Sequence, residues 1–277
     1  MSLSPRITSR QNPRVKDAVR LRTGRERQRQ GRFIIDGARE ILRAIESDVR
    51  CVEAFVCEEL CDSADSRRAI EALESCGAEI LGVSPDVYAK LAFGDREDGI
   101  VVVAETPQRR LEDLRLPAEP LVAVLEGIEK PGNLGAILRS ADAAGVDAVV
   151  VADGRTDLFN PNTIRTSLGT VFRPNICEAT SAETLAWLSQ RGLKIIAARP
   201  DAEKCYTEVD LRGGVAIVLG SEAAGLSDAW RAGRSSAPDG KGANVVAVRL
   251  PMRGLADSLN VSTTAAVLFY EAQRQRT

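Results

Sequence analysis

The chain of 277 residues contains no histidine. A Ser-His-Asp triad, a Cys-His nucleophile and an H-E-x-x-H zinc site each need an imidazole, so the sequence excludes all three. Any proton transfer that this protein catalyses must use Asp, Glu, Lys, Arg, Tyr or a positioned water. The absence of histidine therefore excludes several classes of catalytic mechanism before any motif is considered.

Cysteines are present, but their spacing does not suit a metal or redox centre. None of the six belongs to a C-x-x-C pair, and no histidine is available to complete a mixed zinc site. We expect reduced, structural thiols and no metal site. The six are Cys51, Cys57, Cys61, Cys76, Cys177 and Cys205.

Long apolar runs are also missing, and aromatic residues make up only 4% of the chain. No stretch approaches the roughly 20 consecutive apolar residues that cross a bilayer. The first residues, MSLSPRITSRQNPR, are basic but lack the apolar core of a secretory signal. We therefore expect a cytoplasmic protein without a membrane span.

Acidic residues are scarce in one region, although the net charge of the whole chain is −2. Residues 1–32 contain ten Lys or Arg against Asp17 and Glu26, which gives this segment +8 and leaves −10 for the remainder. Such a basic segment is typical of proteins that contact a phosphate backbone, although an ordinary solvated helix is the alternative. The candidate residues for contact with a nucleic acid are Arg20, Arg22, Arg25, Arg27, Arg29 and Arg32.

Residues 1–106 are predicted to form a basic arm and a first domain. Short strand patterns such as RFIIDG and GIVVVAE alternate with amphipathic helices such as AREILRAIES, as in a small α/β/α domain. Prolines then mark residues 107–119 as a linker. Within this linker, three leucines are spaced to form one short docking turn, namely Leu111, Leu114 and Leu116.

Residues 120–277 are predicted to form a second α/β domain. Its strand patterns are continuously apolar and are separated by helical patterns, which is typical of a parallel sheet with both faces covered. The one irregular stretch is RAGRSSAPDGKGAN at 231–244, either a flexible surface insert or a loop that contacts a nucleic acid. Its DGKG lacks the preceding strand that a phosphate-binding P-loop needs.

Polar residues and glycines follow three of the predicted strands of the second domain. Ligands bind at the carboxyl ends of parallel strands, so these residues are expected to converge. Taken singly, each has a structural explanation, namely a glycine turn with a cap, a surface arginine, or an N-cap at Ser258. Their coincidence at one sheet edge favours a site made of Asn133, Arg139, Gly220, Glu222, Ser258 and Asn260.

Three stretches around these residues resemble, in order, the signature motifs of the SpoU (TrmH-type) RNA ribose 2′-O-methyltransferases of the SPOUT superfamily. They are NLGAILRSADAAGV, IVLGSEAAGLS and LPMRGLADSLNVSTTAAVLFYE. The resemblance covers about residues 120–274. The stretch from TSRQNPRVKDAV to REILRAI also resembles the substrate-binding extension of this family, a small α/β domain related to RNA-binding ribosomal proteins.

The resemblance implies a parallel sheet whose C-terminal segment forms a deep trefoil knot, a rare exception to unknotted topology. It also implies a homodimer that binds S-adenosylmethionine in the knot. By the family pattern, backbone groups would bind this cofactor around Leu219, Gly220, Leu250, Met252 and Leu259. The catalytic set would be Arg139 with Asn133, Glu222, Ser258 and Asn260, and further RNA contacts would come from Arg165 and Ser167.

The expected reaction is methylation of a ribose 2′-hydroxyl in structured RNA. Arg139 is an awkward general base because a guanidinium is not deprotonated in proteins. Holding an RNA phosphate and stabilising the developing alkoxide is the alternative role, with the proton taken by phosphate or water. Ribosomal RNA is favoured over tRNA because the minimal tRNA enzymes of the family lack the first domain.

Two other functions remain open from the sequence. One is a knotted methyltransferase that acts on a base nitrogen of tRNA or rRNA. The other is a non-catalytic RNA-binding assembly factor. The complete set of Asn133, Arg139, Glu222, Ser258 and Asn260 argues against the last of these.

Overall fold

The computed structural model describes residues 6–93, 98–231 and 244–277. Its contacts divide into two units. The first comprises the described residues up to Gln108 together with Asp157–Phe172, and the second comprises Arg109–Thr156 with the described residues from Arg173 onward. The sequence predicts a single second domain over residues 120–277. In the structure, residues 157–172 make their contacts within the first unit.

The first unit is built on a four-stranded sheet of order β1-β4-β2-β3. Only β2 and β3 are parallel neighbours, and β4 is antiparallel to both of its neighbours. The strands are β1 (Arg32–Asp36), β2 (Cys51–Val56), β3 (Glu79–Gly82) and β4 (Ile100–Glu105). The helices are α1 (Pro13–Arg20), α2 (Gly24–Gln30), α3 (Ala38–Glu46), α4 (Ala64–Ser75) and α5 (Pro85–Leu91).

Local side chains explain where several helices of the first unit begin. The side chains of Asn12 and Ser63 accept hydrogen bonds from backbone N–H groups of α1 and α4 respectively. Pro85 occupies the first turn of α5 behind the capping Ser84. A cap supplies an acceptor for N–H groups that have no partner within the helix, and proline loses nothing at this position.

The second unit is built on a seven-stranded parallel sheet of order β7-β6-β5-β10-β8-β11-β9. The central strands are buried along their whole length, as their continuous Val, Ile, Leu and Ala composition predicts. The strands are β5 (Leu121–Glu126), β6 (Ala148–Ala152), β7 (Ile176–Ala179), β8 (Lys194–Ala198), β9 (Lys204–Cys205), β10 (Val215–Leu219) and β11 (Val245–Arg249).

In the described part of the chain, three α-helices accompany this sheet, and a further helix after α6 belongs to the first unit. The second unit contains α6 (Pro131–Ala143), α8 (Ser181–Gln190) and α9 (Val261–Arg276). The remaining helix is α7 (Pro161–Thr166), which contacts β1. In the same segment, Phe159 and Phe172 stack on Phe33 of β1, with ring centroids 4.6 and 5.8 Å away.

The docking turn predicted between the domains is confirmed. A 3-10 turn spans Leu111–Asp113, and Leu111 and Leu114 are buried in the core of the second unit, with Leu116 packed against it. The parallel α/β fold is likewise confirmed, while the trefoil knot stays a prediction. Among the helices of the described ranges, none is long and apolar enough to cross a membrane.

Candidate active site

A cavity of about 670 Å³ lies at the carboxyl edge of the parallel sheet of the second unit. This volume lies within the range typical of small-molecule sites. The lining comes from the segments that follow β8, β10 and β11, from the start of α9, and from Lys130. The convergence predicted from the strand ends is present for Gly220, Glu222, Ser258 and Asn260, which line the cavity, whereas Asn133 and Arg139 are not among the lining residues.

All five residues predicted to bind the cofactor line this cavity. Leu219 is buried at the end of β10, and Leu259 is 39% exposed. Gly220 follows Leu219 at a point where the chain touches itself, because a Cβ placed on Gly220 would overlap the backbone of Gly225. Only glycine allows this close approach, which brings bare backbone to the cavity wall.

The segment that follows β10 is folded back on itself. The N–H of Gly225 donates to the carbonyl of Ser221 at 3.0 Å, and the N–H of Ala224 donates to Oγ of Ser221 at 3.0 Å. Residues 219–226 all line the cavity. We call Leu219–Ser227 the β10 segment.

A chain of hydrogen bonds joins three predicted catalytic residues from separate motifs. Nδ2 of Asn133 in α6 donates to Oε1 of Glu222 in the β10 segment. Nδ2 of Asn260 donates to Oδ1 of Asn133 at 3.3 Å. Residues 133, 222 and 260 are far apart in the sequence, so the fold brings the three motifs together as predicted.

The start of α9 explains the paired polar residues in its motif. Asn260 is the N-cap, since its Oδ1 accepts from the N–H of Ser262 at 2.8 Å. The alternative that Ser258 is an ordinary N-cap is therefore wrong. Ser258 is exposed and lines the cavity, where its hydroxyl is available to a ligand.

Arg139 lies apart from this group within one chain. It is exposed on α6 and is not among the cavity-lining residues of the described part of the chain. It follows Asn133 by six residues, which corresponds to about 9 Å along a helix and about 120° around its axis. The two side chains therefore leave α6 in different directions.

Sequence reasoning missed Arg199 and Asp201, which also line the cavity. Nε of Arg199 donates to Oδ1 of Asp201 at 3.1 Å, and this hydrogen bond holds the pKa of the Asp201 carboxyl below its usual range. Both residues follow β8. The rule that ligands bind at strand ends would have found them, had it been applied to ARPD as well.

The candidate RNA-contacting arginines of the first unit divide into two groups. Arg22 donates to the carbonyl oxygens of Lys90, Leu91 and Ala92, and Arg27 is 5% exposed and pairs with Asp157 at 2.5 Å. These two side chains serve the interior of the unit. Those on the surface are Arg20, Arg25 and Arg29, with Arg32 partly exposed.

The two candidates from the later segment also differ in exposure. Ser167 is fully buried, and its hydroxyl donates to the carbonyl of Ile164 at 2.9 Å. Arg165 is partly exposed in the last turn of α7. The structure therefore presents Arg165, but not the Ser167 hydroxyl, to a ligand at the surface. Most of the irregular 231–244 stretch, from 232 to 243, lies outside the described residues.

A parallel sheet with a cavity of this size at its carboxyl edge is the arrangement with which many α/β proteins bind small organic ligands. Among the described residues, no cluster of three His, Cys, Asp or Glu side chains is arranged to hold a metal ion. The chain belongs to the SpoU rRNA Methylase family, which matches residues 120–270. Residues 12–102 match the MRM3-like substrate binding domain. The predicted family is confirmed, and with it the expectation that the protein is a methyltransferase.

Relatives and solved structures cover nearly the whole chain. The 23S rRNA (uridine(2479)-2′-O)-methyltransferase of Streptomyces viridochromogenes is 32% identical over 98% of this chain and 92% of its own. A crystal structure of an RNA 2′-O ribose methyltransferase is 44% identical, with a TM-score of 0.81 and 98% of both chains covered. The AdoMet-bound rRNA methyltransferase of Sinorhizobium meliloti is 25% identical, with a TM-score of 0.82 and 97% of both chains covered.

Proposed function

We propose that this protein methylates a ribose 2′-hydroxyl of 23S ribosomal RNA with S-adenosylmethionine as the methyl donor. The observation that carries the proposal is the hydrogen-bonded chain of Glu222, Asn133 and Asn260 beside a cavity of about 670 Å³. Three motifs of a methyltransferase family meet there. The Streptomyces relative, whose name specifies a 23S rRNA 2′-O activity, supports this substrate.

The residues around the cavity fit S-adenosylmethionine. Gly220 exposes backbone where a side chain would collide with Gly225, and Leu250, Met252 and Leu259 add apolar surface. Backbone N–H and C=O groups from the β10 segment would bind the polar parts, and the apolar side chains would cover the adenine. When bound, this cofactor supplies a methyl group on a sulfonium sulfur for in-line displacement.

The polar residues would then align the ribose and compensate the charge that develops on its oxygen. Alignment alone contributes a large part of such a rate enhancement. Asn133 is hydrogen-bonded to both Asn260 and Glu222, and these two residues line the cavity, so their polar atoms are preorganised there. We assign Arg139 the electrostatic role, because a guanidinium that remains protonated stabilises an alkoxide or a phosphate but cannot accept a proton.

We further propose that the protein is a homodimer in which Arg139 completes the site of the partner subunit. Two features support this. Arg139 is exposed on α6 outside the cavity lining of its own chain. Large apolar side chains are also exposed near the start of α9 and on its surface, with Leu255 fully exposed and Tyr270 50% exposed.

The first unit would bind the RNA substrate. Its match to a substrate-binding domain and its surface arginines support this role. Arg20 and Arg29 are each paired with an acidic side chain three residues earlier, and these exposed pairs are weak enough for a phosphate to displace the acid. Arg25 lies between them on the surface.

A labelling experiment tests the function. The protein is incubated with S-adenosylmethionine labelled in the methyl group and with separate pools of unmethylated 23S rRNA, 16S rRNA and tRNA, and each RNA is then digested with alkali. A 2′-O-methyl group removes the nucleophile that cleaves the adjacent phosphodiester. Label in alkali-resistant dinucleotides from 23S rRNA is expected.

Other outcomes would contradict this function in distinct ways. Label in mononucleotides would indicate a base methyltransferase. Label in dinucleotides from 16S rRNA or tRNA would retain the chemistry and replace the substrate. RNA binding without any label would indicate an assembly factor.

A further inference from the structure

Glu126 is a buried carboxylate that neither the motifs nor the cavity lining includes. It is the last residue of β5 and is 6% exposed. Its Oε1 accepts from the Ser181 hydroxyl at 2.8 Å, the Ser227 hydroxyl at 2.7 Å and Nε1 of Trp230 at 2.8 Å. Its Oε2 accepts from the N–H of Ser227 at 2.7 Å.

These donors attach Glu126 to the end of the β10 segment. Ser227 comes directly after Leu226, the last residue of that segment to line the cavity. Trp230, fully buried, ends the short turn that follows. Glu126 thus binds the chain at the point where it leaves the cavity wall.

The beginning of the same segment is held by the neighbouring residue of β5. Leu219 pairs with Leu125 in the parallel sheet. Leu125 and Glu126 therefore hold both ends of the β10 segment at adjacent positions of one strand. A closed segment of this kind has far fewer conformations than one attached at a single end.

We infer that Glu126 is a positioning residue that holds the β10 segment in the conformation that binds S-adenosylmethionine, an inference that rests on the proposed function. A segment already ordered in the free protein loses little entropy when the ligand binds, so affinity rises. The same attachment fixes Glu222, which is part of the segment and accepts from Asn133.

A carboxylate suits this position better than its amide. It accepts all four hydrogen bonds because it has acceptor sites on both oxygens and no N–H of its own. In Glu126→Gln, one side of the group becomes an NH₂ that must face a donor, either the Ser227 N–H or the three donors now on Oε1. A buried donor without an acceptor then remains next to the segment.

Titration calorimetry with S-adenosylhomocysteine tests the inference on the purified full-length protein. For Glu126→Gln we expect a dissociation constant about tenfold higher than that of the wild type, with the binding stoichiometry unchanged. A residue that only stabilises the fold would lower the fraction of competent protein, and hence the stoichiometry, and leave the affinity of the folded molecules as it is.

Two serine variants form a matched pair that does not depend on the folding of Glu126→Gln. Ser227→Ala and Ser181→Ala each remove one hydroxyl donor to the same Oε1, but only Ser227 belongs to the β10 segment. We expect Ser227→Ala to raise the dissociation constant about three- to tenfold and Ser181→Ala to leave it unchanged.

Equal affinities of wild type, Ser227→Ala and Ser181→Ala would overturn the positioning role. An equal rise of the dissociation constant in both serine variants would also overturn it, because the effect would then not depend on attachment of the β10 segment. If the wild-type protein failed to bind S-adenosylhomocysteine, the proposed function itself would fail, and the two failures are therefore distinguishable.

Discussion

At the scale of single residues, the site depends on a glycine, which allows a close backbone contact, and on an asparagine, which caps a helix. Gly220 allows the chain to touch itself beside the cavity, and Asn260 ends a loop, starts a helix and holds Asn133. Both positions were predicted from the sequence. Gly220 directly follows a strand and Asn260 directly precedes a helix. The ends of strands and helices are the places where the sequence pattern is clearest.

Gly220→Ala should disrupt cofactor binding. The added Cβ meets the Gly225 backbone, which cannot rotate away as a side chain would, so the β10 segment must shift. Overpacking of this kind costs about 1–3 kcal/mol, and we expect the dissociation constant for S-adenosylhomocysteine to rise about tenfold or more. Calorimetry measures it directly.

Gly132→Ala is the matched control for that substitution. Gly132 lies in the first turn of α6, and a Cβ placed there meets no atom within 4 Å. Its affinity for S-adenosylhomocysteine should equal that of the wild type. Equal affinity in Gly220→Ala as well would show that the contact between Gly220 and Gly225 does not shape the site.

Glu126 shows what reasoning from single residues of the sequence cannot find. Glu126 stands in the apolar strand pattern LVAVLE, where a lone acid gives no sign of its partners. Its donors at 181, 227 and 230 are more than 50 residues away. Only the packing of β5 against two distant segments brings them together, so no local pattern identifies this residue.

At the scale of elements, the hydrophobic periodicity of the sequence predicts the longer strands and helices but not the short elements α7, β7 and β9. The buried strands and α9 were predicted within a few residues. The helix α7 has six residues, β7 four and β9 two, and such lengths are too short for a helical or strand repeat to be recognised. The basic segment was predicted as an arm, and it forms α1 and α2 instead.

Within two residues of helix α2, Arg27 has a structural role and Arg25 is a proposed RNA contact. Arg27→Ala leaves the Asp157 carboxylate and the Leu21 carbonyl without their donor. Breaking such a pair costs about 3 kcal/mol, which corresponds to a fall of roughly 6–12 °C in the melting temperature. Differential scanning calorimetry measures this fall.

Arg25→Ala is expected to behave in the opposite way. Arg25 is exposed in the same helix, so its melting temperature should match the wild type, while RNA affinity falls and the salt dependence of binding decreases by about one unit of slope. If the melting temperature of Arg27→Ala equalled that of the wild type, the contact with Asp157 would not contribute to stability.

At the scale of the whole molecule, the parallel α/β fold was predictable because strand and helix patterns alternate over some 150 residues. The assignment of residues 157–172 to the first unit was not predictable. It depends on Phe159 and Phe172 stacking on Phe33, a contact across more than 120 residues. Long-range contacts of this kind leave no periodic trace.

Mixed dimers test whether Arg139 acts on the partner subunit. A dimer of one Arg139→Ala chain and one Gly220→Ala chain, purified through two different tags, has one complete site if Arg139 acts in trans. We expect roughly half of the wild-type methylation rate from a two-fold symmetric dimer. The rates are measured with S-adenosylmethionine well below the dissociation constant of Gly220→Ala, where each variant alone should have little activity and Arg139→Ala should still bind S-adenosylhomocysteine.

The reciprocal dimer gives the opposite outcome and serves as the control. It pairs a wild-type chain with a chain that carries both substitutions. Action in trans leaves this dimer inactive, whereas action within one chain gives it half activity and leaves the first dimer inactive. Failure to recover any mixed dimer would refute the homodimer.

Because residues 157–172 pack in the first unit, the chain order affects how the protein folds during translation. During translation, Phe33 and Arg27 emerge early, but the aromatic rings and the carboxylate that complete their surroundings follow only after Phe172 has been synthesised. At ribosomal speeds, the 64 residues between Gln108 and Phe172 correspond to a delay of roughly 3–13 s. We therefore expect the first unit to keep Phe33 uncovered on the nascent chain during this interval and to finish folding only after Arg109–Thr156 of the second unit has been made.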